Sequence, residues 1–301
     1  MPGLCEGRVA IVTGSGRGVG RQHALQLAAA GAKIVVNDLG SSVDGSGVDS
    51  SPAQQVADSI NAAGGEAVVN SDDVSNFDGA KNLVDTAITA FGKLDILVNN
   101  AGILRDRMLV NMTEDEWDSV ISVHLKGTFA PSRHAASYWR AMSKQSDDDN
   151  LIKGRIINTS STSGIYGNIG QTNYGAAKAG IAAFTIIAAR ELHRIGVTVN
   201  AISPSAYTRM TDNLREYTEE EIEIRDPSWV SPTVVYLAST KAQDITGRVI
   251  EAGAGRVAVC EGWRRGAEVG QSDDPDALGL KIREMIGKVR KNSGMDGLEL
   301  D

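Results

Sequence analysis

Short β-branched apolar runs recur at 9–13, 33–38, 66–70, 94–99, 154–159, 198–203 and 248–250, and longer helical stretches fill the intervals. The early runs, such as Val9-Ala10-Ile11-Val12 and Ile34-Val35-Val36, are apolar on both faces rather than alternating. A strand of that kind is buried on both sides, which demands a parallel sheet covered by helices on each face. Right-handed crossovers then wind the sheet outward in both directions from the first strand. The expected fold is α/β, a doubly wound and mostly seven-stranded parallel sheet. One dinucleotide-binding domain over 1–255 carries it, with 256–301 as a C-terminal extension. Helices are expected at 18–30, 52–63, 78–91, 114–142 and 173–194, a shorter pair at 211–224 and 231–239, and an amphipathic helix at 275–289. Two segments read as insertions: a loop rich in Gly, Ser and Asp at 40–51, and 143–150, whose three consecutive aspartates extend the turn before the fifth strand.

Composition narrows the classes. The 301 residues are 42% hydrophobic and 23% charged, which suits an ordinary soluble globular protein with a large core. A formal net charge of -8 with no basic stripe argues against a nucleic-acid surface. No run reaches the roughly 18 apolar residues of a membrane helix. The first nine residues do not resemble a signal peptide. The cysteines, Cys5 and Cys260, make neither a disulfide framework nor a metal-binding spacing. Unpaired thiols in a reducing cytoplasm, with no metal, is the expectation.

Thr13-Gly14-Ser15-Gly16-Arg17-Gly18-Val19-Gly20 lies directly after the first strand and opens the first helix. Glycines there allow a tight turn and a close approach to a pyrophosphate, and the helix N-terminus offers free N–H groups and a positive dipole end. The position between an apolar strand and a helix is what gives this glycine cluster its force. Asp38 ends the second strand, where a carboxylate can bond ribose hydroxyls and would repel a 2′-phosphate. It favours NAD over NADP. Arg17 could instead reach a 2′-phosphate, but a solvated or ion-paired arginine is the preferred reading.

Tyr174 and Lys178 stand four residues apart, one turn apart on a helix face. An ammonium near a phenol favours phenolate, so Lys178 is expected to lower the Tyr174 pKa toward the range useful for acid/base work. An ordinary amphipathic helix face is the alternative. Ser161 lies in the hydroxyl-rich run Asn158-Thr159-Ser160-Ser161-Thr162-Ser163, just past the fifth strand, where a parallel sheet opens its ligand crevice. The run itself leaves the choice among hydroxyls open, and simple turn chemistry explains it as well.

Together these motifs resemble the short-chain dehydrogenase/reductase family from about residue 8 to 255, with Asn99-Asn100-Ala101-Gly102 after the fourth strand as a further match. The resemblance implies a Rossmann sheet and a nicotinamide cofactor. It implies that Tyr174 exchanges the hydroxyl proton, that Lys178 binds the nicotinamide ribose, and that Ser161, thirteen positions before the tyrosine, orients the substrate oxygen. Asp73 and Val74 would contact the adenine, and Asn100 the cofactor backbone, with Asn99 bracing the sheet. Ser205 and Thr208 would face the nicotinamide. The family often carries Asn where this chain has His124; a proton-relay role and a half-buried helix histidine are both open readings.

A narrower likeness joins Asn37-Asp38-Leu39-Gly40, Leu104-Arg105-Asp106-Arg107, Val123-His124-Leu125 and Glu251-Ala252-Gly253-Ala254-Gly255. These resemble the (3R)-hydroxyacyl-CoA dehydrogenase module of peroxisomal multifunctional β-oxidation enzymes and its bacterial relatives, a group that shares the histidine. The resemblance implies NAD-dependent interconversion of a secondary alcohol and a ketone, on a (3R)-hydroxyacyl-CoA. A free 17β-hydroxysteroid is the alternative substrate, and a non-catalytic nicotinamide sensor or scaffold the alternative class. Arg105, Arg107 and the loop 40–51 are candidates for meeting CoA phosphates. Family members pair through the helices at 114–142 and 173–194, so a homodimer or tetramer is expected.

Overall fold

The computed structural model describes residues 3–47, 49–145, 152–212 and 216–300. The aspartates of the insertion at 143–150 and part of the expected helix 211–224, residues 213–215, lie outside the described residues. The chain divides into two compact units, Met1–Cys260 and Glu261–Asp301.

In the first unit the apolar runs form β1 (Val9–Thr13), β2 (Lys33–Asn37), β3 (Ala67–Asn70), β4 (Ile96–Asn99), β5 (Arg155–Thr159), β6 (Thr198–Ser205) and β7 (Val249–Gly253). All seven pair in parallel, and β8 (Arg256–Cys260) joins the edge antiparallel, in the order β3-β2-β1-β4-β5-β6-β7-β8. The doubly wound sheet is as expected, but it has eight strands rather than seven. Ala254 and Gly255, with φ of 49° and 75°, form the two-residue turn that reverses the chain. The seventh strand also runs on to Gly253 through Glu251, which is buried because Tyr166 and Arg256 hold its carboxylate.

Strand residues alternate between two cores. Ala10, Val12, Ile34 and Val36 pack with α1 (Gly18–Ala29), α2 (Ser51–Ala62) and α9 (Ser231–Ala238). Val9, Ile11, Val35 and Leu97 face α3 (Phe77–Phe91), α5 (Gly127–Ser143) and α7 (Thr172–Leu192). Each buried aliphatic side chain contributes about 1.5–3 kcal/mol.

The helix expected at 114–142 is not continuous. α4 (Glu114–Ile121) starts on a reciprocal cap between Thr113 and Glu116, then widens into a π turn at Ser122–Lys126 before α5. Pro131 has no N–H for the carbonyl of Gly127, so the ladder is interrupted where the wide turn ends. A short α6 (Thr162–Ile165) precedes α7, and α8 (Glu219–Ile224) is all that is described as helix in 211–224.

The second unit carries one helix, α10 (Pro275–Ile286), capped by Asp274 accepting from Asp276 N and Ala277 N. Among the described residues no helix is long and apolar enough to cross a membrane.

Candidate active site

Parallel pairing aligns the C-terminal ends of β1, β2, β4, β5 and β6 along one crest, and the expected site residues gather there. On the glycine side, α1 begins without a side-chain cap at Arg17, so the first N–H groups of the helix are left for a ligand. Gly20 is required sterically: a Cβ there would lie 2.2 Å from Gly14 O and 2.4 Å from Asn100 Nδ2. Asn100 Nδ2 donates to Thr13 O at 3.0 Å and Gly14 O at 3.1 Å, while Thr13 Oγ1 accepts from Asn100 N and Ala101 N. Asn99 instead donates to Ser132 Oγ and Asn158 Oδ1, bracing β4 against β5.

Asp38 stands beside the glycine turn, accepting from Gly16 N at 2.7 Å and Gly40 N at 2.6 Å. Arg17 turns to Asp49 at 3.9 Å, the ion-paired reading. The loop 40–51 closes back on the crest, with Leu104 N donating to Val43 O at 2.9 Å. Asp73 follows β3 with Oδ1 accepting from Ser75 N, but the Val74 side chain is core, 5% exposed, leaving its backbone for any ligand. Val19 packs partly into the core beneath the turn. Thr208 reaches across to Gly18, its Cγ2 3.6 Å from where a Cβ would sit, and Ser205 closes β6 opposite Gly253.

These residues fit a dinucleotide. Uncapped helix donors suit a pyrophosphate, and Asp38 suits ribose hydroxyls. Buried polar atoms at the crest, Thr159 Oγ1, Ser203 Oγ and His124 Nδ1, have no partner among the described residues.

On the catalytic side, α6 packs directly onto α7. A Cβ on Gly164 would meet Ala179 N at 2.5 Å and Lys178 C at 2.6 Å, so only glycine lets Ser161, at the N-cap of α6, approach Tyr174. Ser161 lies close enough to the Tyr174 side chain to lower its pKa. Lys178 is 2% exposed, and its Nζ donates to Thr159 O at 2.6 Å while lying 5.5 Å from the Tyr174 ring centroid. His124, in the π turn, packs edge-on against Tyr174 with centroids 5.1 Å apart, and its Nε2 meets Ile103 O at 2.7 Å. It is a fully buried histidine whose imidazole is pushed down to about 3 by burial, then by Lys178, against the Ile103 backbone, so it is neutral.

The expected electrostatics are corrected. Burial pushes the Tyr174 phenol up to about 12; Ser161 lowers it and Asp106 raises it. Burial draws the Lys178 amine down to about 7. The helical spacing did bring the two together, with Lys178 Nζ near the ring and bonded to the Thr159 carbonyl. Withdrawal from water outweighs any mutual attraction, and the neutral forms of both groups gain.

The structure adds residues that sequence reasoning passed over. Gln171, 8% exposed, precedes α7 and donates from Nε2 to Asp106 Oδ2 at 2.7 Å. Its Oε1 accepts from Ser163 Oγ and Asn168 Nδ2. In the sequence nothing sets Gln171 apart from any polar residue before a helix. Asp106 is exposed as a residue, but its carboxylate is partly covered, which raises it while the Gln171 amide lowers it. Arg105 and Arg107 pair with Asp115 and Glu116.

A protein-family model described as short chain dehydrogenase matches residues 8–221. The chain is 42% identical, over 92% of its length, to a hydroxyacyl-CoA dehydrogenase of Mycobacterium tuberculosis, covering 88% of that protein. It is 48% identical over 83% of its length to the peroxisomal multifunctional enzyme type 2 of Drosophila melanogaster, spanning 39% of that longer protein. A crystal structure of a short chain dehydrogenase from Mycobacterium avium superposes with a TM-score of 0.87 at 48% identity, covering 99% of this chain and 100% of that one.

Proposed function

The chain belongs to the short chain dehydrogenase family, and from that premise we propose that it is an NAD-dependent dehydrogenase interconverting (3R)-hydroxyacyl-CoA and 3-oxoacyl-CoA. The observation that carries the reading is Ser161 and Lys178 both set beside Tyr174, on the same crest as the uncapped glycine turn. The glycine turn, Asp38, Asn100 and Thr208 hold the dinucleotide. Bound nicotinamide supplies the hydride-exchanging carbon and, when oxidised, a positive charge that favours phenolate. Toward the alcohol, Tyr174 is a neutral phenol that gives its proton to the carbonyl oxygen. Toward the ketone, the same oxygen takes the hydroxyl proton. Ser161 donates to the substrate oxygen as charge develops there. His124 braces the Ile103 backbone and the tyrosine ring.

The names of the relatives support an acyl-CoA substrate, and the Asp38 carboxylate supports NAD, since it would repel a 2′-phosphate. Exposed Phe129 on α5 and Ile186 and Ile187 on α7 support a homo-oligomer, and the unpaired Cys5 and Cys260 suit a cytoplasmic setting. The test is the initial rate with NAD⁺ and with NADP⁺ on a (3R)-hydroxyacyl-CoA and on a 17β-hydroxysteroid. NAD⁺-dependent turnover of the thioester, lost in Tyr174→Phe, is expected. Turnover of the steroid alone would replace the substrate, and turnover of neither would overturn the reading.

A further inference from the structure

Asp106 takes no part in the proton and hydride chemistry, yet it is built into the wall beside the reacting groups. Gln171 holds its Oδ2 at 2.7 Å, Ser163 Oγ donates to Gln171 Oε1 at 2.7 Å, and Ser163 N donates to Ser161 Oγ at 3.2 Å. Two side chains thus link the carboxylate to the hydroxyl that orients the substrate. From the other direction, Asn173 Nδ2 donates to Arg105 O at 2.9 Å, tying the segment to the residue before Tyr174. The neighbouring cations do not neutralise Asp106. Arg105 and Arg107 are drawn to Asp115 and Glu116, and Lys178 turns to Thr159 O. His124 is neutral at this face.

We propose that Asp106, held by Gln171, determines specificity by excluding substrates with a free carboxylate two bonds from the carbinol carbon and admitting those with an uncharged thioester or ester there. The inference rests on the reading of the site as a 3-hydroxyacyl dehydrogenase and deepens it. In this proposal the substrate hydroxyl sits between Ser161 and Tyr174, and the substrate's C1 group would face the wall that Gln171 and Ser163 link to Ser161. A thioester or ester brings no charge to that position. A carboxylate brings a like charge into a partly desolvated site, where repulsion is stronger than in bulk water.

The test compares methyl (3R)-hydroxybutyrate with (3R)-hydroxybutyrate, which differ in charge but hardly in size. The ratio of kcat/KM for ester over acid is read in the wild type, in Asp106→Asn and in Asp106→Glu. Where the acid turns over too slowly, inhibition constants of the two against thioester turnover give the same ratio. Asp106→Asn keeps an oxygen for Gln171 and is expected to lower the ratio about tenfold, while Asp106→Glu preserves it. Rising salt should narrow the wild-type ratio and leave that of Asp106→Asn flat. An equal change in ester and acid, or a ratio insensitive to salt, overturns the inference. Failure of the wild type to oxidise the (3R)-hydroxyacyl thioester would instead strike the reading of the site.

Discussion

The two walls of the cleft are built on different principles. The glycine wall is a matter of backbone shape: Gly20 seats against Gly14 O and Asn100, and Asp38 is fixed by two backbone N–H groups. The tyrosine wall is a matter of desolvation. Tyr174, Lys178 and His124 share a pocket in which each neutral form gains. The first wall is rigid before any ligand arrives, while the second is tuned by whatever charge enters it. Damage to the first should therefore appear as lost binding, and damage to the second as lost turnover.

The largest test of that contrast is Tyr174→Phe, which removes the proton-exchanging oxygen and leaves the ring on His124. It should cut kcat by about 10³-fold, measured as NADH formation, while nucleotide affinity by fluorescence titration stays within about twofold. A large affinity loss would break the comparison. Gly20→Ala comes next. Its methyl cannot clear Gly14 O, so nucleotide affinity should fall by about 10²-fold and thermal stability with it. Asp38→Ala sharpens the glycine wall further: the preference for NAD⁺ over NADP⁺ in kcat/KM should narrow by about tenfold as the repulsive carboxylate goes.

The smallest effect per step is a pH slope. The Lys178 amine lies near 7 folded and near 10.5 unfolded, so between those values the unfolded chain binds the extra proton. Stability from this group therefore rises with pH across that window and is lowest below pH 7. Lys178→Met should flatten the rise by up to about 1.4 kcal/mol per pH unit in urea unfolding of the protein without nucleotide. An identical slope in both proteins would show that the amine is not desolvated.

Legibility followed the same divide. Strands apolar on both faces, the glycine turn and the Tyr174–Lys178 spacing are local patterns, and the sheet order and the gathering of site residues follow from them. Burial is a property of the assembled fold, so the sign of the Tyr174 shift could not be read from spacing alone. Val74 gave no hint of facing inward, and Gln171 looked like any polar residue before a helix. β8 escaped because its turn begins at Ala254, a residue type with no preference for positive φ. The pairing of the arginines at 105 and 107 with Asp115 and Glu116 joins a loop to the next helix, which spacing alone does not show.

The wide turn at Ser122–Lys126 acts as a phase shifter. A regular helix advances about 100° per residue, so one residue gained or lost there rotates everything upstream by that angle relative to everything downstream. α4 is thereby aimed at α7 and α5 at α3, although the two are nearly continuous in sequence. Single-residue length changes in the loop 40–51 should be absorbed locally. The same change at 122–126 would swing His124 off the tyrosine ring and the α4 side chains off α7, so chain length matters more there than in the loop.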